Sequence, residues 1–260
     1  MVVVADGSLN RFGRELGAER RRDYPMGMAA RGYFRSAASH QPFLESQLDL
    51  RDEDGATIPG YGWVFPLGDG TVNVGVGLLS TFRRWKTVNT TKMMNRYVET
   101  APSYWGLSDQ SRLTTPMGGK LTMSFSRGPA VGANWVMVGD AVGAINPWNG
   151  EGISYAYETG RIAAHHILDA LAADDLGLLS RYQAELEETY GLYYKMARVF
   201  VRLIGYPSVM RTLAHVGLRN RPLMEWTLKV MANLLDEDER HLGEQAYQAL
   251  AAVVRRLPVA

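Results

Sequence analysis

Residues Trp135–Ala164 read WVMVGDAVGAINPWNGEGISYAYETGRIAA. Trp135 to Val138 is a short apolar run of the kind that makes a buried strand. Gly139-Asp140 ends it, a loop of Gly, Asn and Pro follows, and a helix opens near Gly150-Glu151-Gly152. A strand closed by Gly-Asp and a helix entered through small residues make a site for a sugar and an anion. The Asp140 carboxylate can hold ribose or ribityl hydroxyls. The N–H groups at the helix start, with the positive end of its dipole, favour a phosphate or an electron-rich carbonyl oxygen. Gly150 and Gly152 let a flat ligand approach the backbone where a Cβ would block it.

Composition narrows the class. The chain has 260 residues, 46% hydrophobic and 21% charged, which suits one ordinary domain or two small ones. A net charge of +1 gives no global field, so no nucleic-acid partner is expected. The absence of cysteine removes disulfides, thiolate nucleophiles and Cys-based metal sites, and fits a reducing, cytoplasmic setting. The five histidines show no metal-ligand spacing, and no metal is expected. No stretch reads as a signal peptide or reaches the length of a transmembrane helix.

Outward from the central motif, the chain is predicted helical almost to its end, with breaks near Gly205-Tyr206-Pro207 and Arg221-Pro222. Upstream, Pro25 to Ser80 has a β pattern. Gly27–Arg35 and Phe43–Arg51 alternate apolar and polar residues, and Asp52-Glu53-Asp54-Gly55 is a turn. Tyr61–Pro66 is an aromatic strand, Leu67-Gly68-Asp69-Gly70 a hairpin turn, and Thr71–Leu79 the returning strand. Thr87–Ala101 is a helix with Met93, Met94, Tyr97 and Val98 as its inner stripe. Short strands are expected around Leu113 and Lys120–Met123. At the start, Val2–Val4 reads as a fully buried strand, followed by a turn at Asp6-Gly7-Ser8 and a short helix with Phe12 and Leu16 inward. No G-x-G-x-x-G follows a strand anywhere in the sequence.

Two motifs now stand together: Gly139-Asp140-Ala141-Val142-Gly143 with Asn146-Pro147-Trp148-Asn149-Gly150-Glu151-Gly152-Ile153, and Pro59-Gly60-Tyr61-Gly62-Trp63-Val64-Phe65-Pro66. With Ala5-Asp6-Gly7-Ser8 before them, they resemble the geranylgeranyl reductase family of FAD-dependent oxidoreductases, within the p-hydroxybenzoate-hydroxylase-like flavoprotein group. The likeness is to its actinobacterial branch, which acts on the isoprenoid tail of menaquinone. It covers about residues 2 to 170 and, more loosely, the helical tail. Flavoprotein hydroxylases usually carry a histidine where this chain has Gly143; the Gly-Glu-Gly-Ile entry and the Tyr-x-Trp-x-Phe-Pro strand look like the reductases.

The resemblance implies an α+β chain: the C-terminal part of a p-hydroxybenzoate-hydroxylase-like FAD fold, with an antiparallel substrate-side sheet and a helical C-terminal region. The expected parts are 1–24, a remnant of the FAD-binding domain; 25–125, the substrate-binding sheet; 126–172, the Gly-Asp segment and its helix; and 173–260, the helical region. It implies FAD as cofactor, held by Asp6, Gly139, Asp140, Pro147, Gly150, Gly152 and Ile153. Tyr61, Trp63 and Phe65 alternate along one strand face and would line a channel for a polyprenyl chain, with Tyr61 the candidate proton donor. The bland readings stay open: core aromatics for Tyr61, Trp63 and Phe65, a cap or turn residue for Asp140, an Asx-turn for Asp6, and simple dipole compensation for Glu151.

The expected reaction is reduction of a carbon–carbon double bond in a polyprenyl chain, of menaquinone or a geranylgeranyl group, with NAD(P)H or a protein as electron donor. The family's Gly-rich βαβ unit is missing from this sequence, so the chain is expected to be an N-terminally truncated piece of a longer enzyme. The alternatives are a non-catalytic fragment or lipid-surface binding module, and, less favoured, a flavin-dependent aromatic hydroxylase. Lys195, Arg198, Arg202, Arg211, Arg219, Arg221 and Lys229 stand against Glu225 alone, interleaved with apolar residues. Such a stretch is either a solvated face over a helical core or a seat on an anionic membrane, which would make the protein peripheral at the cytoplasmic membrane.

Overall fold

The computed structural model describes residues 1–51, 55–235 and 242–257, so Asp52–Asp54 of the expected turn lie outside the described residues. In chain order the elements are β1 (Val2–Val4), α1 (Arg11–Glu15), β2 (Glu19–Arg20), β3 (Met26–Arg35), β4 (Glu45–Gln47), β5 (Gly60–Pro66), β6 (Thr71–Leu79), α2 (Thr90–Thr100), β7 (Met117–Thr122), β8 (Arg127–Gly128), β9 (Trp135–Met137), α3 (Ile153–Ala172), α4 (Ser180–Ile204), α5 (Pro207–Gly217), α6 (Arg221–Met231) and α7 (Leu242–Arg256). This is the mixed α+β arrangement read from the sequence, with an antiparallel sheet in the first half and helices at the end. Two units emerge: residues 1–26, 121–202 and 220–260 make one, and residues 27–120 and 203–219 the other.

The second of these units is built on a five-stranded sheet in the order β4-β5-β6-β3-β7. β5 and β6 form the expected hairpin, antiparallel, with Trp63 opposite Gly75 and Tyr61 opposite Gly77. Its turn uses Gly68 and Gly70, both at positive φ. β6 continues antiparallel onto β3 from Gly27–Leu79 to Arg35–Thr71. Strict alternation decides which residues go inward. Val64, Val72, Val74, Val76, Ala30 and Phe34 share the buried face and form one core with Met93, Met94, Tyr97 and Val98 of α2. Each fully buried side chain of that size contributes about 1.5–3 kcal/mol. α2 starts at Asn89, whose side chain accepts from the Thr91 and Lys92 N–H groups.

Two expected strands shrink. Phe43–Arg51 keeps only β4, beside which Glu45 accepts from Trp105 Nε1 at 2.9 Å and from the Tyr104 hydroxyl. Around Leu113 there is a single bridge between Phe34 and Arg112 rather than a strand.

The first-named unit pairs β1 with β9 in parallel, Val2 opposite Trp135 and Val4 opposite Met137. The expectation of a fully buried first strand fails: Val4 is buried, but Val2 is 38% and Val3 51% exposed. The pair is only two strands wide, so one flank of β1 is uncovered among the described residues. Phe12 is likewise outward, at 48% exposed. The inward position of α1 is Gly13, where a Cβ would meet Asn10 Oδ1 at 1.9 Å; Leu16, as expected, packs on the core. That core joins Val136, Met137 and Ala141 to Tyr182, Tyr190, Tyr193 and Tyr194 of α4, with Val230 and Ala251 from the later helices. The helix breaks fall where Pro207 and Pro222 place them. Among the described residues no helix is long and apolar enough to cross a membrane.

Candidate functional site

β9 ends at Met137, and the chain turns through a single 3₁₀ turn at Gly139–Ala141. Gly139 has φ +59°, which favours glycine, and its N–H donates to Thr159 Oγ1 of α3 at 2.9 Å. A Cβ there would press on Ala156 at 3.2 Å, so the strand end and α3 are in close approach. Asp140 follows, half-buried. Burial raises its carboxyl pKa, and the Arg127 guanidinium partly opposes that rise.

The loop from Ile145 to Gly152 is fixed by two asparagines. Asn146 Oδ1 accepts from the Trp148 N–H at 2.9 Å; its amide reaches the Tyr155 and Tyr193 hydroxyls at 3.1 and 3.0 Å and the Met231 carbonyl at 2.9 Å. Asn149 Oδ1 accepts from the Glu151 N–H. Pro147 is buried within this loop, and Gly150 holds φ +76°. Gly152 is the N-cap of α3 and has no side-chain cap bond. A Cβ on Gly152 would meet Asp140 Oδ1 at 3.2 Å, so the carboxylate and the helix start are neighbours. Ile153 opens the helix 75% exposed. Glu151 is a capping residue: its carboxylate accepts from the Ser154 N–H at 2.8 Å and the Ser154 hydroxyl at 2.6 Å.

Asp6 reaches the same place from the other end of the sequence. Its carboxylate accepts from the Phe12 N–H at 2.8 Å, and the 3₁₀ turn Gly7–Leu9 packs on the turn Gly139–Ala141. The structure therefore brings Asp6, Gly139, Asp140 and Gly152 together. It also adds residues the sequence reading missed. Arg127 is held through a hydrogen bond to the Ser8 carbonyl and lies within electrostatic reach of both Asp6 and Asp140. Arg20 is its cross-strand partner in the β2–β8 pair. Strands of two residues have no period to read, so nothing in the sequence marked either arginine.

Tyr61, Trp63 and Phe65 form a separate cluster on β5. Their ring centroids are 5.7 and 5.9 Å apart in succession. All three are half-buried and lie on the face opposite Val64, so they are not part of the valine core. Across the pairing, β6 offers Gly77, Gly75 and Asn73. The Trp63 indole lies against Gly75, where a Cβ would come within 2.2 Å of it, and its N–H donates to Asn73 Oδ1 at 2.9 Å. The next strand continues the row with Arg31 opposite Gly75, and Arg31 Nη1 is buried without a hydrogen-bond partner among the described residues. Burial pushes the Tyr61 phenol up to about 12.

Similarity to known proteins follows the same motifs. The chain is 39% identical over 264 residues to menaquinone reductase of Mycobacterium tuberculosis, covering 99% of this chain and 62% of that protein. Menaquinone reductase of Mycolicibacterium smegmatis is 34% identical, and digeranylgeranylglycerophospholipid reductase 2 of Methanosphaera stadtmanae is 30% identical over 199 residues, 75% of this chain and 48% of that one. The chain thus spans about three-fifths of the length of the mycobacterial relatives. No family model matches. Among solved structures, a geranylgeranyl bacteriochlorophyll reductase-like protein of Thermoplasma acidophilum superposes with a TM-score of 0.71 at 18% identity, over 96% of this chain and 62% of that one. The flavin-dependent brominase Bmp2 superposes at 0.60. These establish the fold shared with flavin-dependent enzymes, and the homologues bear out the reductase resemblance.

Proposed function

We propose that this homologue of the menaquinone and digeranylgeranylglycerophospholipid reductases supplies the substrate-side sheet and the Gly-Asp half of the flavin site in an enzyme that reduces a double bond of a polyprenyl chain. The observation that carries this reading is the half-buried Asp140 carboxylate against Gly152 at the start of α3. The residues fit FAD on that ground. Gly139 lets the strand end approach α3, and Gly152 lets the Asp140 carboxylate approach the helix start; there Asp140 would accept from sugar hydroxyls, and the helix start favours negative charge.

When bound, a reduced flavin supplies hydride to one carbon of an alkene that no carbonyl polarises. The chain's own residues do the rest. Asp140, Gly139 and Asp6 would hold the cofactor's sugar and connecting chain, and Pro147 and Gly150 would shape the loop beside its ring. The backbone of Gly152 and Ile153 at the helix start would hold the electron-rich end of the ring, since the helix dipole favours negative charge there. Tyr61, Trp63 and Phe65 present an apolar face that holds a polyprenyl segment and excludes water. Tyr61 is the proton donor of this reading: its phenol keeps its proton up to about 12, so it carries one to give at neutral pH. The electron donor is NAD(P)H or a reduced protein. The basic, apolar-rich stretch 195–229 suits a peripheral position on an anionic membrane, where such a substrate resides.

The test is direct. Flavin absorbance that co-elutes with the chain on gel filtration after addition of FAD reports binding, and Asp140→Ala is expected to abolish it. With chemically reduced flavin and menaquinone in detergent, mass spectrometry should show a product heavier by one hydrogen pair. No flavin co-eluting with the chain after loading at saturating FAD removes this reading.

A further inference from the structure

Arg20 and Arg127 lie directly opposite each other in the β2–β8 pair. Like charges in that position repel and destabilise a strand pair. No carboxylate is hydrogen-bonded to either guanidinium among the described residues. Each is instead tethered by one backbone carbonyl, Arg127 Nη2 by Ser8 and Arg20 Nη2 by Tyr24 at 3.2 Å. Each also retains a buried donor with no hydrogen-bond partner among the described residues, Nη1 of Arg127 and Nε of Arg20. Buried N–H groups are almost always paired, so two orphans on two facing cations ask for an acceptor. Arg14 adds a third positive charge within reach of Arg127. Burial lowers the pKa of both paired arginines and outweighs the nearby carboxylates, Asp23 for Arg20 and Asp6 and Asp140 for Arg127.

We propose that the Arg20–Arg127 pair is a binding site for a diphosphate group. Two planar guanidinium groups side by side match two adjacent phosphoryl groups, each taking charge-assisted hydrogen bonds. Arg127 also lies within electrostatic reach of Asp6 and Asp140, carboxylates suited to sugar hydroxyls, and that is the order of groups in a dinucleotide: sugar beside diphosphate. The diphosphate class stands on the arginine pair alone. Its assignment to a dinucleotide, either the flavin cofactor or a nicotinamide reductant, rests on the flavoprotein reading.

Inorganic pyrophosphate is the probe, titrated by calorimetry and by thermal midpoint into the full chain and into Arg20→Gln, Arg127→Gln and the charge-keeping Arg127→Lys. Pyrophosphate is expected to raise the wild-type midpoint. Each Gln variant should bind it at least about tenfold more weakly, with Arg127→Lys in between. Without ligand, Arg20→Gln should melt no lower than wild type, because the repulsion is gone. FAD, riboflavin and NADPH then separate the sources. Weakened FAD binding with riboflavin unchanged assigns the flavin's diphosphate; weakened NADPH binding with flavin absorbance intact assigns the reductant's. Pyrophosphate binding with no affinity for any dinucleotide keeps the site and removes the flavoprotein reading. Equal pyrophosphate affinity in all four proteins, or none in wild type, overturns the proposal.

Discussion

The aromatic face of β5 and the Asp–Arg cluster around Gly139–Ala141 are opposite solutions to presenting a surface. On β5 itself the aromatic side chains are packed, and the one unpaired donor in their row among the described residues is Nη1 of Arg31 on β3. Trp63 rests on Gly75, its N–H is taken by Asn73, and the valines behind it are buried. In the other cluster polar groups are gathered and left short of partners: Arg20 and Arg127 keep buried donors, and Asp140 is held half out of water. The first surface comes from local alternation on a hairpin; the second is assembled from residues more than a hundred positions apart. A self-sufficient apolar surface should resist everything except steric insult. An unfinished polar one should respond to charge and to ligand.

The sharpest way to break that contrast is steric. A Cβ on Gly60 would stand 2.0 Å from the Gly77 backbone oxygen, and no side-chain rotation relieves a clash with backbone. Gly60→Ala is expected to disrupt the β5–β6 register, costing about 3 kcal/mol or more, the upper end for overpacking. Gly75→Ala should cost less, because the obstacle there is the Trp63 indole, which can move. Thermal melts rank the two, and tryptophan fluorescence should shift to the red in Gly75→Ala. Equal stability of Gly60→Ala and wild type would contradict the backbone contact.

Next in size is Asn146→Ala. It leaves the Trp148 N–H without its acceptor and removes a donor from the Tyr155 and Tyr193 hydroxyls and from the Met231 carbonyl, which keeps Asn149 and Tyr193. Loss of a satisfied buried network costs about 2–4 kcal/mol. The variant should melt early and lose flavin absorbance together, because the same loop shapes the start of α3. Retained stability with lost flavin would mean that Asn146 acts on the ligand rather than on the loop.

The unequal legibility of the two surfaces follows from how each is built. Tyr61, Trp63 and Phe65 announce their shared face by period two, and the Leu67–Gly70 turn fixes the partner strand. The inner stripe of α2 follows as plainly from its helical spacing. Gly139-Asp140 and the Gly152 helix entry stood out in the sequence, and the structure places Asp140 against Gly152. Val2 and Val3 misled, since β-branched runs signal burial on both faces while β1 pairs with a single strand among the described residues. Phe12 misled for a different reason: a five-residue helix buries too little for its apolar residue to decide its orientation, and Gly13 over Asn10 does instead. Arg20 and Arg127 were beyond reach, because a strand pair two residues long leaves no pattern.

A smaller effect tests the charged cluster. The Asp140 pKa is raised in the folded chain, chiefly by burial. A raised carboxyl means that ionisation costs folding energy, so wild type loses stability as pH climbs from the unfolded value of about 4 to the higher folded one. Asp140→Asn carries no such cost. It should match wild type in acid and melt slightly higher at neutral pH, while binding FAD more weakly. Arg127→Ala should deepen the wild-type loss by removing the one cation that opposes the shift. Identical pH profiles for wild type and Asp140→Asn would place that carboxylate in water.

The smallest expected effect on stability, and the one that most separates the two surfaces, is Tyr61→Phe. Its phenol titrates at about 12 when folded, against about 10 unfolded. Its contribution is therefore fully present below pH 10 and is lost as pH rises from there through about 12. At neutral pH the variant should fold as wild type and bind FAD unchanged, since the aromatic ring remains. Only reduction of the polyprenyl chain should fall, by about a hundredfold if the phenol donates the proton. The alkaline side is an internal control: wild type should lose stability between pH 10 and 12 more steeply than Tyr61→Phe. Full turnover in the variant would leave Tyr61 as packing alone, and the aromatic face would then hold the substrate without touching its chemistry.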